Sequence, residues 1–361
     1  MSFSDIHDQS MPVRFMRNML SRNRIPNGLL FWGPSGVGKG MAALELAKAV
    51  NCTEAEADAC GECLMCRKIG NGNHPDIMSV QPVKKARIID VEAIDGIIEL
   101  ASLRPYESQW RIFIIHDAER MRGPAQNHLL KTLEEPLGNS LFILLTEYPQ
   151  LLLPTIRSRC QSVRFGNLGT ETVKGILLRD REMDPDLADA IASISQGQMS
   201  RAFDLADSEK RAVVLDVLER LIAGEDPMAV AEEFSQFLVT QKKTIEASVK
   251  EKTDAADSKE MSKEDREQLK EARLALVDAM CRRATMEFLY LLELWYRDVM
   301  VYAATGDVSR VLNKDRVDLL EATPKNDPTK KIDAIEKARV YLERFITEDR
   351  VFRDLFFTLA S

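Results

Sequence analysis

The stretch Gly33-Pro34-Ser35-Gly36-Val37-Gly38-Lys39-Gly40 decides the fold of this chain. It has the spacing G-x-x-x-x-G-K, follows an apolar run at residues 29–32, and precedes residues 41–50, whose alanine, leucine and lysine content favours a helix. In a strand, loop and helix of this kind, backbone N–H groups cradle phosphates and the lysine reaches their outer oxygens. The sequence therefore predicts a nucleotide-binding loop formed by Gly33, Gly36, Gly38 and Lys39.

Gly40 departs from the full pattern of such a loop. Ser or Thr is expected at this position, because its hydroxyl holds Mg²⁺ beside the nucleotide. The motif alone therefore leaves three outcomes open: the protein hydrolyses a nucleotide, binds one without hydrolysis, or keeps only the shape of the loop.

Composition sets wider limits on the protein. A chain of 361 residues is too long for one ordinary core, so we expect two or three domains. No apolar run reaches the roughly 18 residues that a membrane helix needs, and the first residues have no signal-peptide pattern, so a cytoplasmic protein is expected. The formal charge of −8 argues against a surface that grips nucleic acid broadly.

The first 166 residues alternate between strand and helix patterns. Buried strands are predicted at residues 29–32, 77–80, 111–115 and 141–146, and helices at residues 41–50, 88–100 and 127–133. Continuous apolar runs such as Arg111-Ile112-Phe113-Ile114-Ile115 are typical of the middle of a parallel sheet. The pattern predicts an α/β domain over residues 1–166, with a parallel sheet covered on both faces.

Strand patterns stop after this domain. Residues 167–222 form short amphipathic helices, a segment small enough to be a lid, and residues 223–361 are again helical. The charged run at about residues 241–270 is predicted to be a solvated helical hairpin or a disordered insertion. Residues 284–302 are apolar around most of the helix circumference, which predicts a buried helix.

Four of the six cysteines are close together in the sequence, at Cys52, Cys60, Cys63 and Cys66. Two overlapping C-x-x-C knuckles and a nearby fourth cysteine let four thiolates converge on one tetrahedral ion, as structural zinc requires. Four unrelated thiols or redox chemistry are the alternatives. A closed Zn²⁺ site over residues 52–66 would stabilise a local loop and leave no open position for catalysis.

Three motifs together resemble the clamp-loader family of bacterial DNA polymerase III, which is an AAA+ assembly. They are Asn127-x-Leu129-Leu130-Lys131-Thr132-Leu133-Glu134-Glu135-Pro136, the triplet Ser158-Arg159-Cys160, and the four-cysteine module after the loop. The resemblance covers roughly residues 6–210, and the rest, including Trp295-Tyr296-Arg297-Asp298, is similar only in pattern. It implies an AAA+ P-loop domain over residues 1–166, a helical lid over 167–222, and an all-α C-terminal collar for oligomerisation over 223–361.

Departures from the family pattern bear on catalysis. The family includes ATP-hydrolysing gamma/tau subunits and a largely non-hydrolysing delta-prime subunit that acts as a stator. In the register set by the Leu-Leu-Lys-Thr helix, His116 stands where hydrolysing members have the Mg²⁺-organising Asp, and Asp117 where they have the catalytic Glu. Another register gives Asp117 the metal role with Glu119 nearby. Ser200 replaces an arginine that should reach the γ-phosphate.

Together with Gly40, these losses imply a delta-prime-like subunit with little or no ATP hydrolysis, because hydrolysis needs the metal clamp and an oriented water together. ATP binding without turnover stays open. The resemblance gives Arg159 the role of an arginine finger that acts in trans on a neighbour's ATP. The alternative is that Arg157 and Arg159 are ordinary surface or ion-pairing arginines.

The resemblance also implies the partners of this chain. They are the gamma/tau and delta clamp-loader subunits, with the sliding clamp and primer-template DNA reached through the complex. Two other functions stay open, an active gamma/tau-type ATPase and a zinc-stapled nucleotide sensor outside any ring.

Overall fold

The computed structural model describes residues 2–82, 88–135, 138–254 and 263–361. The chain divides into two compact units. Unit 1 consists of Met1–Val173 with Gln196–Arg201, and unit 2 consists of Lys174–Ser195 with Ala202–Ser361. The three-domain division predicted from the sequence, with boundaries after residues 166 and 222, stays a prediction.

Unit 1 is built on a five-stranded parallel sheet with the order β2-β3-β4-β1-β5. The strands are β1 (Gly28–Trp32), β2 (Ile77–Val80), β3 (Arg111–Ile115), β4 (Ser140–Thr146) and β5 (Gln161–Arg164). The helices between them are α1 (Ser10–Ser21), α2 (Lys39–Val50), α3 (Leu64–Gly70), α4 (Val91–Ala101), α5 (Gly123–Glu134) and α6 (Pro154–Arg159). The first four strands match the predicted ones closely. The sequence did not predict β5, whose residues are mostly polar and exposed.

The central strands are buried on both faces because successive side chains point to opposite sides of a sheet. In β3, Ile112 and Ile114 pack in one apolar cluster with α1, α2 and α3, whereas Phe113 and Ile115 pack in a second cluster with α4, α5 and α6. The rings of Phe113 and Phe142 on β4 stack at 4.9 Å within the second cluster. This arrangement is the predicted parallel sheet with helices on both faces.

Parallel strands bring several loops to one edge of the sheet. The loop at residues 33–38 follows β1, His116 follows β3, and Glu147 follows β4, so all three lie at the carboxyl ends of their strands. In parallel α/β sheets, ligands bind in the crevice at this edge. The fold therefore positions the candidate site around the first glycine-rich loop.

The chain after β5 is helical where it is described. Its helices are α7 (Thr170–Arg181), α8 (Pro185–Ile194), α9 (Met199–Ala206), α10 (Lys210–Ile222), α11 (Pro227–Asp254), α12 (Lys263–Thr305), α13 (Val317–Ala322), α14 (Pro328–Glu343) and α15 (Glu348–Ala360). These helices and the sheet of unit 1 fit the predicted AAA+ domain, small helical segment and all-α C-terminal region.

The core of unit 2 gathers four long helices, α11, α12, α14 and α15. Phe234 of α11 contacts the rings of Phe288, Phe352 and Phe356 at centroid distances of 4.7–5.4 Å. Trp295 is 1% exposed, as expected for the helix predicted to be buried at residues 284–302. The charged run at about 241–270 is helical up to Asp254 and again from Lys263, and residues 255–262 lie outside the described part. In the described chain, no helix combines the length and apolarity that crossing a membrane requires.

Candidate functional site

The glycine-rich loop between β1 and α2 has a backbone that only glycine tolerates well. Gly33, Gly36 and Gly38 have φ values of +147°, +72° and +95°. A Cβ on Gly33 would lie 2.2 Å from the carbonyl oxygen of Phe165, and one on Gly36 would lie 2.2 Å from Oγ of Ser200. The three predicted glycines therefore adopt positive φ values, which glycine populates readily and other residues do not.

Lys39 begins α2 and folds back on the loop. Its Nζ donates hydrogen bonds to the carbonyl oxygens of Gly33 and Pro34, each at 2.6 Å. Burial lowers the pKa of Lys39, and the nearby carboxylates of Glu147, Glu119 and Asp117 oppose that shift. The ammonium group predicted to bind phosphate is thus engaged by the loop itself, and nearby carboxylates act on its pKa.

Glu147 is the member of this site that sequence reasoning missed. Its Oε1 accepts a hydrogen bond from the backbone N–H of Ser35 at 3.2 Å, and its own N–H donates to Oε1 of Glu119 at 3.4 Å. The sequence contained one signal, since an acidic residue directly follows β4. That signal becomes informative only when the strand order is known, because β4 lies beside β1 in the sheet.

The two departures at the metal position meet in space. A Cβ on Gly40 would lie 3.7 Å from Cε1 of His116, so the first turn of α2 and the residue after β3 are neighbours. Burial lowers the pKa of His116, although Asp117 opposes this, which favours a neutral imidazole at neutral pH. A neutral imidazole beside a glycine lacks the oxygen ligands that Mg²⁺ prefers.

Ser200 lies directly on the loop rather than at a distance from it. The backbone N–H of Met199 donates to the carbonyl oxygen of Gly36 at 3.0 Å. The segment Gln196–Arg201 belongs to unit 1 although it follows β5 by more than thirty residues. The position where the family pattern expects an arginine therefore packs against the candidate phosphate loop and carries a hydroxyl instead.

Arg159 is the last residue of α6 and lies at the protein surface. Its Nη2 is 3.0 Å from Oε1 of Glu134, with side chains 46% and 41% exposed, and its Nη1 donates to Oγ of Ser158 at 3.1 Å. An ion pair this exposed contributes little to stability, typically about 0–1 kcal/mol. The ion pair leaves the guanidinium group half-exposed to solvent.

The four predicted metal ligands come together. The Sγ atoms of Cys52, Cys60, Cys63 and Cys66 all lie within 4.8 Å of one another. A tetrahedral site with Zn–S bonds of about 2.3 Å needs sulfur atoms about 3.8 Å apart, so small shifts would suffice. This cluster could therefore hold a metal ion, and four thiolates suit Zn²⁺.

Backbone N–H groups already support negative charge in the cluster. Burial raises the pKa of Cys63, but hydrogen bonds from the backbone at Cys66 and Thr53 and from the neighbouring thiols outweigh it and lower the pKa to about 6. Burial and the other thiols raise the pKa of Cys66. The N–H groups of Cys63 and Cys66 each donate to the sulfur three residues earlier, which is the local geometry of a knuckle.

Comparison with known proteins gives a consistent result. Residues 8–169 match the family described as DNA polymerase III, delta subunit. The chain is 35% identical over 216 residues to DNA polymerase III subunit delta' of Bacillus subtilis, covering 57% of this chain and 64% of the relative. It is 26% identical over 361 residues to subunit tau of the same organism, covering 97% of this chain and 60% of the relative. The chain therefore spans less than two thirds of the length of these two relatives.

Solved structures show a weaker likeness. A DNA polymerase III gamma subunit-related protein of Thermotoga maritima is 16% identical with a TM-score of 0.43, covering 97% of this chain and 98% of that one. The RuvB Holliday junction branch migration motor of the same organism has a TM-score of 0.39 at 16% identity, covering 61% of this chain and 64% of that one. The family match and these sequence relatives agree with one another, and together they support a clamp-loader AAA+ subunit of the DNA polymerase III type.

Proposed function

We propose that this chain is a delta-prime-like subunit of the DNA polymerase III clamp loader. In this role it acts as the stator of a hetero-oligomeric ring with gamma/tau and delta subunits, in the cytoplasm. The ring opens the sliding clamp and places it on primed DNA. The chain contributes little or no ATP hydrolysis of its own and supplies Arg159 to the ATP site of a gamma-type neighbour.

The neighbouring pair Gly40 and His116 carries this proposal. Hydrolysis of ATP by a P-loop protein needs a metal ion held by a P-loop hydroxyl and a carboxylate, together with a group that orients water. At Gly40, in the first turn of α2, the hydroxyl is missing, and the imidazole of His116, whose pKa is lowered by burial, lies 3.7 Å from the position of a Cβ on Gly40. In the register that gives His116 the metal position, both groups expected to organise Mg²⁺ are therefore replaced.

The surface position of Arg159 supports its role in trans. An arginine side chain that is 46% exposed can reach a neighbouring subunit, and its pairing with Glu134 is weak enough to be exchanged for a phosphate. Arginine fingers supplied in trans contribute roughly 10³–10⁵ to the rate of the site that they serve.

A reconstituted clamp loader tests this function directly. Replacing the wild-type chain with Arg159→Ala should slow ATP hydrolysis at the neighbour's ATP site by about 10³-fold or more. The DNA- and clamp-stimulated ATPase rate of the whole complex should therefore fall by the fraction that this one site contributes. Arg159→Lys should be nearly as slow, because lysine keeps the charge but loses the planar fork that binds phosphate.

Arg157→Ala is the matched control, because Arg157 is an exposed arginine on the same helix. It should leave the stimulated ATPase unchanged, and size-exclusion chromatography should show intact complexes for every variant. Full ATPase activity with Arg159→Ala would refute the role in trans.

An active gamma/tau-type ATPase is the second candidate, and two observations favour it. The match to subunit tau runs along 97% of this chain, and the acidic side chains of Asp117 and Glu119 lie close enough to Lys39 to act on its pKa. Steady-state hydrolysis by the purified chain separates the two functions. Turnover near about 1 s⁻¹, the scale of ordinary enzymes, that Lys39→Ala abolishes would establish the ATPase and remove the stator proposal.

A further inference from the structure

Two hydrogen-bond donors at the loop between β1 and α2 are already engaged by other groups of the chain. A phosphate bound there needs the backbone N–H groups of the loop and the ammonium group of Lys39. In the structure, the N–H of Ser35 donates to the carboxylate of Glu147, and Nζ of Lys39 donates to two loop carbonyls. These donors already have acceptors within the protein.

Glu147 has the chemistry of the ligand that it would exclude. A carboxylate, like a phosphate, is an anion that accepts hydrogen bonds from backbone N–H groups at a helix N-terminus. Among the carboxylates whose charge raises the pKa of Lys39, Glu147 has the largest effect, ahead of Glu119 and Asp117. One side chain therefore engages a donor of the loop and also attracts the lysine.

The position of Glu147 is fixed by the sheet and not by a mobile arm. It directly follows Thr146, which is 1% exposed and pairs with Trp32 in the register of β4 with β1. Its own N–H donates to Glu119. Two neighbouring strands thus hold the backbone of Glu147 beside the loop, and the hydrogen bond from Ser35 places its carboxylate there.

We propose that Glu147 is an internal anion that competes with nucleotide phosphate for the loop at residues 33–39, and thereby keeps this P-loop free of nucleotide. The inference rests on the proposed function, in which this loop takes no part in ATP hydrolysis, and it assigns the residue that enforces that state. To bind, a nucleoside di- or triphosphate must displace the Glu147 carboxylate from the N–H of Ser35. Its negatively charged phosphates are then repelled by the nearby carboxylate.

Nucleotide binding by the isolated full-length chain tests the proposal. Equilibrium dialysis or calorimetry with ADP and with ATP, both with Mg²⁺, compares wild type with Glu147→Ala and Glu147→Gln. Glu147→Ala should bind ADP at least about tenfold more tightly than wild type, a difference of about 1.4 kcal/mol. Glu147→Gln should fall between them, because its amide oxygen can still accept from Ser35 but the negative charge is gone.

Two further variants locate the effect. Glu99→Gln removes the same charge from an exposed position on α4 and should leave the dissociation constant within about twofold of wild type, since solvent and salt screen an exposed charge. Adding Lys39→Ala to the Glu147→Ala variant should abolish the increase in nucleotide affinity, because the nucleotide bound by the Glu147→Ala variant must contact the P-loop.

Equal affinities of wild type and the two Glu147 variants would overturn the proposal, and so would a failure of folded Glu147→Gln to bind nucleotide. Thermal unfolding identifies folded protein, and the isosteric Gln variant covers the case in which the Ala variant does not fold. This test can fail independently of the test of the proposed function. If Arg159→Ala left the ATPase of the complex unchanged, the proposed role of Arg159 would be refuted, but the nucleotide dissociation constants of the isolated chain would stay the same.

Discussion

Asp76 is a buried carboxylate that ties the segment after α4 to the edge of the sheet. It is 0% exposed and forms a salt bridge of 2.8 Å with Arg111, the first residue of β3. It also accepts hydrogen bonds from backbone N–H groups of Tyr106, Glu107 and Ser108 and from Oγ of Ser108. Burial alone would raise the pKa of Asp76, but the hydrogen bonds from Glu107, Tyr106 and Arg111 outweigh it and hold the pKa well below its usual range.

Asp76→Asn should therefore destabilise unit 1 by about 3–5 kcal/mol at pH 7, because it leaves the buried guanidinium group of Arg111 without its charge partner. Since the folded-state pKa is depressed, the contribution of the carboxylate is fully present above its unfolded pKa of about 3.9. It is lost as the pH falls below that value toward the folded pKa. The difference between wild type and variant should be equal at pH 7 and pH 5 and shrink in stronger acid.

Urea denaturation with hydrogen exchange of the β3 amides measures this difference. Asp95→Asn is the matched control, because Asp95 pairs with His128 at an exposed position and should cost no more than about 1 kcal/mol. A loss below about 1 kcal/mol for Asp76→Asn would contradict the role of the buried network.

Among the elements, those with the strongest local patterns were predictable from the sequence. The apolar runs of β3 and β4 and the glycine spacing before α2 act through neighbours in the chain, and the structure agrees with them. The contacts of Glu147 with Ser35 and of Asp76 with Arg111 join residues 112 and 35 positions apart. Such contacts depend on the order of the strands in the sheet and on which donor each carboxylate pairs with. A local sequence pattern predicts neither.

The cysteine knuckle before α3 is the element whose chemistry can be measured most directly. We expect purified protein to contain about one equivalent of zinc, because the four thiols already lie within 4.8 Å of one another. Cys63→Ser should reduce the zinc content severely and make residues 52–66 sensitive to proteolysis, since metal binding stabilises the fold of such loops.

Cys281→Ser is the control, because Cys281 lies on α12, outside the knuckle. It should retain the zinc measured by elemental analysis in the wild type. Less than about half an equivalent in wild-type protein would count against a zinc site.

At the scale of the whole molecule, the groups named above around the candidate P-loop all lie in unit 1. Gln196–Arg201 is far along the chain but belongs to the same unit as the loop that it touches at Gly36. The proposed exclusion of nucleotide by Glu147 is therefore a property of one compact unit, and it can be measured on the isolated chain. Loading of the sliding clamp onto DNA cannot be measured on the isolated chain, because it is proposed for the ring and not for this chain alone.

The charge of the chain makes that difference testable. With a formal charge of −8, the isolated protein lacks the excess of basic groups that neutralises many phosphates. We expect it to bind primer-template DNA with a dissociation constant no tighter than roughly 10⁻⁵ M near 150 mM salt, within the range of non-specific binding. Fluorescence anisotropy measures this constant, and the reconstituted clamp loader on the same DNA is the positive control.

The salt dependence sharpens the same prediction. Each neutralised phosphate contributes a slope of about −0.9 to log K against log salt, so a chain that makes only one or two phosphate contacts should show a slope shallower than about −2. The complex, which gathers contacts from several subunits, should show a steeper slope. A dissociation constant of about 10⁻⁷ M for the isolated chain, together with a steep salt slope, would contradict this prediction. It would mean that this subunit carries a basic DNA-binding surface despite its acidic total charge.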